Sequence, residues 1–382
     1  MSRSSTRFWG RKRLREYAVD LLRRMVEIYS PSMGEGELSA LLISEMEGAG
    51  FSVGTDDVGN VIGEHGKGEP RILLCGHMDT VPPMLPVRLE GGRLYGRGAV
   101  DAKGPLAAMI VAASQLVAEG FGGSLVVVGA VDEEGRNTGI RHLIEEGIEA
   151  DYAIFGEPTN VETITVGYRG GLLLRVTCET ETGHSSAPWL YDNAIEEAMA
   201  VWGLIKSIRM PQERPDSRFH STSSCLRRIE GGGESSVVPG RCEALMEIRI
   251  PPPITVDQLH GEVSRLVEGR RREKPGVKIS VEVLDQSEPY LADKRSPLVR
   301  ALSREIWRSR SVTVKLVNKT GTGDMNLYGH ATGAPVVTYG PGDPHLDHTP
   351  HESISIQDYL DSISVLKGAL RSLIESHTPR RP

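Results

Sequence analysis

The sequence predicts an α/β protein: a mostly parallel sheet with helices on both faces, interrupted by an inserted α+β unit with an antiparallel sheet. Three observations carry that prediction. Short apolar runs alternate with helix-period segments through residues 1–169, as buried parallel strands and their crossover helices do. Across residues 170–286 the apolar positions instead recur at every second residue, the mark of strands with one solvated face. Over residues 287–382 the helix and buried-strand pattern returns. The expected organisation is one domain made of 1–169 and 287–382, with 170–286 inserted into it.

Leu14, Ala18, Leu21, Leu22, Met25 and Val26 recur at helical spacing, so residues 11–28 form a helix that stops at Ser30-Pro31. Residues 71–75 are a short apolar run ending in glycine, a buried strand. Pro105 suits the first turn of a helix over 105–119, which Gly120 closes. A second buried strand covers 124–130, a short helix 139–146, and a third strand 152–155. Ligands of such sheets bind beyond the carboxyl ends of the strands.

Past Gly170, Leu172, Leu174 and Val176 alternate with polar residues, as do Cys242 through Ile250 and Val277 through Val283. Helices are expected over 193–208 and 256–268, the second opened by Thr255 with Gln258 three residues on, a capping box. Ser296-Pro297 opens a helix to residue 308, residues 335–339 are a buried strand, and 355–375 an amphipathic helix. There is no internal repeat or low-complexity tract.

The 382 residues carry a formal charge of -7, which speaks against a nucleic-acid partner and its demand for a basic face. No apolar run reaches membrane-spanning length. Residues 2–15 are basic but lack the apolar centre of a secretory signal, and are expected to be a solvated tail ahead of the first helix. Cys75, Cys178, Cys225 and Cys242 show no Cys-x-x-Cys pairing, which fits a reducing cytoplasm. A bond between Cys225 and Cys242 is left open by the sequence.

Polar groups collect where the elements end. The segments are Gly76-His77-Met78-Asp79, Gly98-Ala99-Val100-Asp101, Asp132-Glu133-Glu134-Gly135, Gly156-Glu157-Pro158 and His345-Leu346-Asp347-His348. Taken singly each has an ordinary explanation. His77 also reads as a polar strand end, Asp101 as a helix N-cap, and the three acids as a solvated turn. Together they are nitrogen and oxygen ligands of the kind zinc accepts, and two metals sharing a carboxylate make a hydrolytic site. Asp79, two residues from His77, is placed to orient that imidazole directly or through the backbone. Adjacent residues at a strand end point in different directions, so Glu133 and Glu134 can divide the roles of base and ligand.

The series Gly76-His77-Met78-Asp79-Thr80-Val81-Pro82, Gly96-Arg97-Gly98-Ala99-Val100-Asp101-Ala102-Lys103-Gly104, Asp132-Glu133-Glu134 and Gly156-Glu157-Pro158-Thr159 resembles the zinc aminoacylase and carboxypeptidase family. Acetylornithine deacetylase and succinyl-diaminopimelate desuccinylase are members. The resemblance implies a zinc-peptidase-like catalytic domain, an inserted lid and dimerisation domain, and two divalent metals, zinc with cobalt as an alternative. It implies His77 and Glu157 on one metal, Glu134 and His348 on the other, Asp101 bridging, Glu133 as general base, and Asp79 as the catalytic partner of His77. His348 is preferred to His345 and His351 because Glu352 lies four residues beyond it, the family's His-x-x-x-Glu arrangement. Thr182-Gly183-His184-Ser185-Ser186-Ala187-Pro188 with Asn193 is similar to the lid motif, whose histidine enters the neighbouring subunit's site in a homodimer. Arg249 matches the position of a substrate-carboxylate arginine, with Asn193 and Thr322 as further substrate contacts; an arginine on a strand also fits a surface ion pair.

Residues 319–326 and 339–350 resemble the branch that releases lysine or ornithine from a small acidic amino-group carrier protein, LysW, in lysine and arginine biosynthesis. The chain has Gly323 where this branch usually has serine, and in the inserted unit Ser236 where the family often has asparagine. Deacetylation of acetyl-ornithine or acetyl-lysine, and aminopeptidase activity, are the neighbouring readings. A metal-dependent binding protein is the non-enzymatic one, against which Glu133 speaks, since a binder needs no base beside its ligands.

Overall fold

Four parallel strands, each a run of apolar residues, form the middle of the largest sheet. In the computed structural model, which describes residues 11–377, they are Ser124–Ala130, Arg71–His77, Tyr152–Phe155 and Val336–Thr338 in that spatial order. Val61–His65 and Ser52–Thr55 extend one side antiparallel, and Thr163–Tyr168 lies beyond the other. Every residue of Ser124–Ala130 is buried, as expected of strands covered on both faces. The helix Lys103–Glu119 packs closely on one face: a Cβ on Gly76 would stand 3.1 Å from the Leu106 side chain. Arg11–Glu27 and Ile356–His377 flank that helix, and Gly36–Gly48 covers the Val61–His65 edge. On the other face the Phe155 ring meets Tyr328, centroids 5.7 Å apart.

A small antiparallel sheet of Arg88–Glu90, Arg93–Tyr95 and Ser353–Ser355 ties the C-terminal region to the segment entering the Asp101 loop. Apart from Gly167 and Tyr168 at the end of Thr163–Tyr168, these elements belong to the first of two units, which lies within Met1–Val166, Ala292–Val317 and Leu327–Pro382.

The second unit takes Gly167–Leu291 and Asn318–Asn326. Its sheet runs Ser223–Gly231, Arg241–Ile250, Gly170–Glu179, Lys278–Ser287, all antiparallel. Along Arg241–Ile250 every second side chain is buried, packing with the helices Ala194–Lys206 and Val256–Glu273. Thr255 and Gln258 do form the capping box. The excursion Asn318–Asn326 lies outside the 170–286 boundary read from the sequence. It belongs here because Asn326 donates its side-chain amide to the Arg169 and Glu288 carbonyls at 2.9 and 3.0 Å.

Cys225 stands opposite Glu247 and Cys242 opposite Gly231, so the two thiols are out of register and remain free. The expected basic tail lies outside the described residues as far as residue 10. Among the described residues no helix is long and apolar enough to cross a membrane.

Candidate metal centre

Parallel strands end together, so the loops leaving them share one rim. His77 closes its strand with its ring 1 % exposed. Its Nδ1 lies 2.9 Å from the Asp79 backbone oxygen and 3.4 Å from the Asp79 carboxylate. Donation there fixes the ring and turns Nε2 toward Asp101 at 3.1 Å and Glu157 at 3.6 Å. Asp79 therefore orients His77 through its carbonyl, while its carboxylate has another task. Its two oxygens accept the backbone N–H groups of Glu133 and Glu134, at 3.1 and 3.0 Å, and Ser32 donates its hydroxyl to the second at 2.6 Å. A fully buried aspartate thus holds both glutamates in place.

Asp132 has a positive φ of 58°. Its carboxylate faces Thr138 and fills the space where a Cβ on Gly135 would lie, so the turn requires glycine at that point. The three acids do not form a solvated turn: Asp132 is 4 % exposed and its N–H goes to the buried carboxylate of Glu35 at 3.1 Å. Nor is Asp101 an N-cap. Ala102 occupies that position of Lys103–Glu119, and Asp101 offers one oxygen to His77 and the other to His348 Nε2, at 3.1 and 2.9 Å. His348 also stands 2.7 Å from Glu134. His345 points to Asp343 instead and is 90 % exposed, and His351 is exposed.

Ligand atoms of His77, Glu133 and Glu157 lie within 4.8 Å of one another, as do those of His77, Asp101 and Glu134. The set is nitrogen and oxygen only, which suits zinc and similar divalent cations. The electrostatics fit a cation too. Burial disfavours charge on His77, yet its bonds to Asp101 and Asp79 and the charges of Glu157 and Glu133 raise it well above its ordinary value. His348 is pushed up to about 10 by Asp101 first and Glu134 second. Burial would raise Asp101, but bonds from His348 and His77 hold it well below the usual carboxylate range. Concentrated negative charge is drawing protons onto the two imidazoles.

Several supporting residues escaped the sequence reading. Ser32 and Glu35 come from the turn after the first helix, where Ser30-Pro31 signalled only a stop. Arg97, 5 % exposed, and Lys103, 1 % exposed, brace the Asp101 loop, Lys103 donating to the Ile28 carbonyl at 2.6 Å. Two buried cations among Gly-Ala-Val residues were the available signal.

The remaining candidates lie in the second unit. His184 Nδ1 accepts the Ser186 N–H at 3.1 Å, and its backbone bridges to Val237. Arg249 donates to the Thr322 hydroxyl at 3.1 Å and pairs with Glu247. Arg169, 7 % exposed, is lowered by burial and by the charge of Arg249. The Asn193 side-chain oxygen caps Ala194–Lys206 through the Ile195 N–H at 3.0 Å.

Comparison with known proteins points the same way. A Thermococcus kodakarensis protein with the provisional name [LysW]-lysine/[LysW]-ornithine hydrolase is 38% identical, over 94% of this chain and 92% of its own. The [LysW]-lysine/[LysW]-ornithine hydrolase of Sulfurisphaera tokodaii is 32% identical, over 95% of this chain and 96% of its own. A Staphylococcus aureus tripeptidase structure superposes with a TM-score of 0.80 at 20% identity, covering 94% of this chain and 99% of that one; at that identity it speaks to fold alone. The profile of peptidase family M20/M25/M40 matches residues 73–372, and the chain belongs to that family.

Proposed function

We propose that this chain hydrolyses the amide joining lysine or ornithine to the terminal glutamate of a small acidic LysW-like carrier, using two divalent cations, zinc first and cobalt as a substitute. One observation carries the reading: Asp101 directs one carboxylate oxygen to His77 and the other to His348, the arrangement of a ligand shared by two metals. His77 and Glu157 would hold one cation, Glu134 and His348 the other. Bound there, the cations would supply the Lewis acidity that polarises an amide carbonyl and makes water acidic enough to attack near neutral pH.

The chain's own residues supply the rest. Glu133 has its N–H fixed by Asp79, and its carboxylate lies within 4.8 Å of the ligand atoms of His77 and Glu157. It takes the proton of the attacking water and delivers it to the nitrogen of the leaving amine as the C–N bond breaks. Arg249 and Thr322, already bonded to each other, are a preformed donor pair for the α-carboxylate of the released amino acid. Asn193 contributes through the helix it caps.

The inserted unit acts as lid and dimerisation domain of a homodimer, in which His184 steadies the developing oxyanion at the partner's site. Its outer strands Ser223–Gly231 and Lys278–Ser287 leave sheet edges for such pairing within the unit. The free thiols of Cys178, Cys225 and Cys242 accord with a cytoplasmic location. The names of the relatives and the residue match in the 319–326 and 339–350 segments support the carrier-linked substrate. Incubation with carrier-lysine and carrier-ornithine conjugates, beside acetyl-ornithine and acetyl-lysine, tests it. Faster turnover of either acetyl compound would move the assignment to a deacetylase.

A further inference from the structure

We infer that Arg97 and Glu352 form a positioning pair that presents Asp101 to both cations, an inference that rests on the metal reading above. The Glu352 side chain has no exposure and that of Arg97 only 5 %, yet neither belongs to the ligand set. One Glu352 oxygen accepts the backbone N–H groups of Val100 and Asp101 at 3.0 and 3.1 Å. The other accepts from Arg97 at 2.8 Å. Arg97 in turn donates to the Pro83 and Thr349 carbonyls, both at 3.3 Å.

The small sheet explains why these groups meet. Ser353–Ser355 pairs antiparallel with Arg93–Tyr95, which places Glu352 and Arg97 just past the paired ends. The Gly96 N–H also donates to the Glu352 carbonyl at 3.2 Å. Glu352 therefore does two things with one carboxylate. It fixes the backbone that carries the shared ligand Asp101, and it anchors the segment that four residues earlier carries His348. An error of a few tenths of an ångström in that backbone would shift both Asp101 oxygens in the same direction, improving one cation's geometry while spoiling the other's. The pair sets the balance between the two cations rather than the presence of the site.

The test compares Glu352→Gln, Glu352→Ala and Arg97→Lys with the wild-type protein by calorimetric titration of the metal-free chain with zinc. Cobalt absorption spectra report the coordination directly. Tyr359→Phe is the control for stability alone, since it removes a buried hydrogen bond to the Ala18 carbonyl and changes none of the proposed ligands. Outer residues of this kind typically cost about 10- to 100-fold in metal affinity. The expected result is a loss in that range for Glu352→Gln in one of two binding steps, with a changed cobalt spectrum and two cations still bound at saturation. Arg97→Lys should fall between wild type and Glu352→Gln, and Tyr359→Phe should lower the melting temperature without altering either step. Glu352→Ala strands a buried arginine and is the variant that risks misfolding; Glu352→Gln and Arg97→Lys decide the question without it. Wild-type affinities and spectra in both would overturn the positioning role and leave the metal reading standing. A wild-type chain that binds no divalent cation would overturn the metal reading itself.

Discussion

Loading the site with a divalent cation should expel protons, and the imidazoles set how many and over what pH. In the cation-free protein Asp101 and Glu134 push His348 up to about 10. His77 is also raised well above its ordinary 6.5: burial opposes this, and the bonds to Asp101 and Asp79 outweigh it. Both shifts favour the protonated ring in the cation-free protein, and only the neutral ring binds a metal. Removing a proton from a group with a pKa of about 10 at pH 7 lowers apparent affinity by at most about a thousandfold. Solvent reaches 49% of the His348 side chain, and screening trims that figure. Apparent affinity for zinc should therefore rise about tenfold per pH unit per proton between roughly pH 6 and 9. Titration calorimetry in buffers of different ionisation enthalpy should count two protons released as both cations bind. An affinity flat across that range, with no proton released, would refute the assignment of His77 and His348 as ligands. Stability must move the opposite way in the cation-free chain. A raised folded-state pKa contributes stability that is fully present below 6.5 and lost as pH rises through the folded value, about 10 for His348. Melting temperatures of the cation-free protein should fall over that window, and added zinc should reverse the trend.

Glu133→Gln should keep both cations and lose about a hundredfold to ten-thousandfold in kcat, whereas Glu134→Gln, which removes the negative charge facing His348, should weaken cation binding; near-normal turnover in Glu133→Gln would exclude it as the base. Mixing inactive His184→Ala and Glu133→Gln subunits under exchange conditions should restore activity if His184 serves the partner's site, and no recovery would place it in its own site or outside catalysis. For carrier docking, the basic run at Arg270 to Lys274 is largely engaged within its own unit. Arg270 is bonded to buried Glu197 through two nitrogens, Arg271 to the Ile279 carbonyl and Lys274 to Asp192. Reversing the exposed Arg227 and Arg272 to glutamate should raise KM for the conjugate alone, not for a small γ-glutamyl-lysine analogue. Arg270→Glu should instead destabilise the second unit by about 3–5 kcal/mol, the cost of stranding a buried charge, as a thermal melt would register.

Legibility in the sequence followed how much of an element's pattern was its own. Ser124–Ala130 and Tyr152–Phe155 could be read residue for residue, because strands buried on both faces are apolar without interruption. Helix Gly36–Gly48 was invisible. It begins and ends in glycine, and its N-cap Glu35 makes no cap bond, its carboxylate being given to Asp132 and Met33. Edge strand Ser223–Gly231 shows no alternation, since its residues are almost all exposed. The proposed ligands His77, Glu134 and Glu157 stood out for the same reason as the central strands, each standing at or just past the end of a recognisable run, whereas His348 rested on the resemblance alone. The supporting groups Ser32, Glu35, Arg97 and Lys103 were not legible, because each acts on a partner distant in sequence that no local pattern announces. The separate tasks of the Asp79 carbonyl and carboxylate are likewise a matter of three-dimensional geometry alone.

The small sheet joining Arg93–Tyr95 to Ser353–Ser355 also orders events on the ribosome. His77, Asp101, Glu133, Glu134 and Glu157 emerge early in synthesis, but the second histidine and Glu352 follow the whole second unit. The central strand Val336–Thr338 and the covering helix Ile356–His377 come equally late. Such distant pairings are slow to close. A chain stalled before residue 348 would expose a cluster of carboxylates with a single imidazole, attractive to abundant cations such as magnesium and calcium that prefer oxygen. On the proposed ligand set, the second nitrogen donor, of the kind that favours zinc over them, arrives only with the segment that carries His348. If that proposal holds, metal choice depends on the segment beyond the second unit, and release before residue 348 should yield fragments that hold the wrong ion or none.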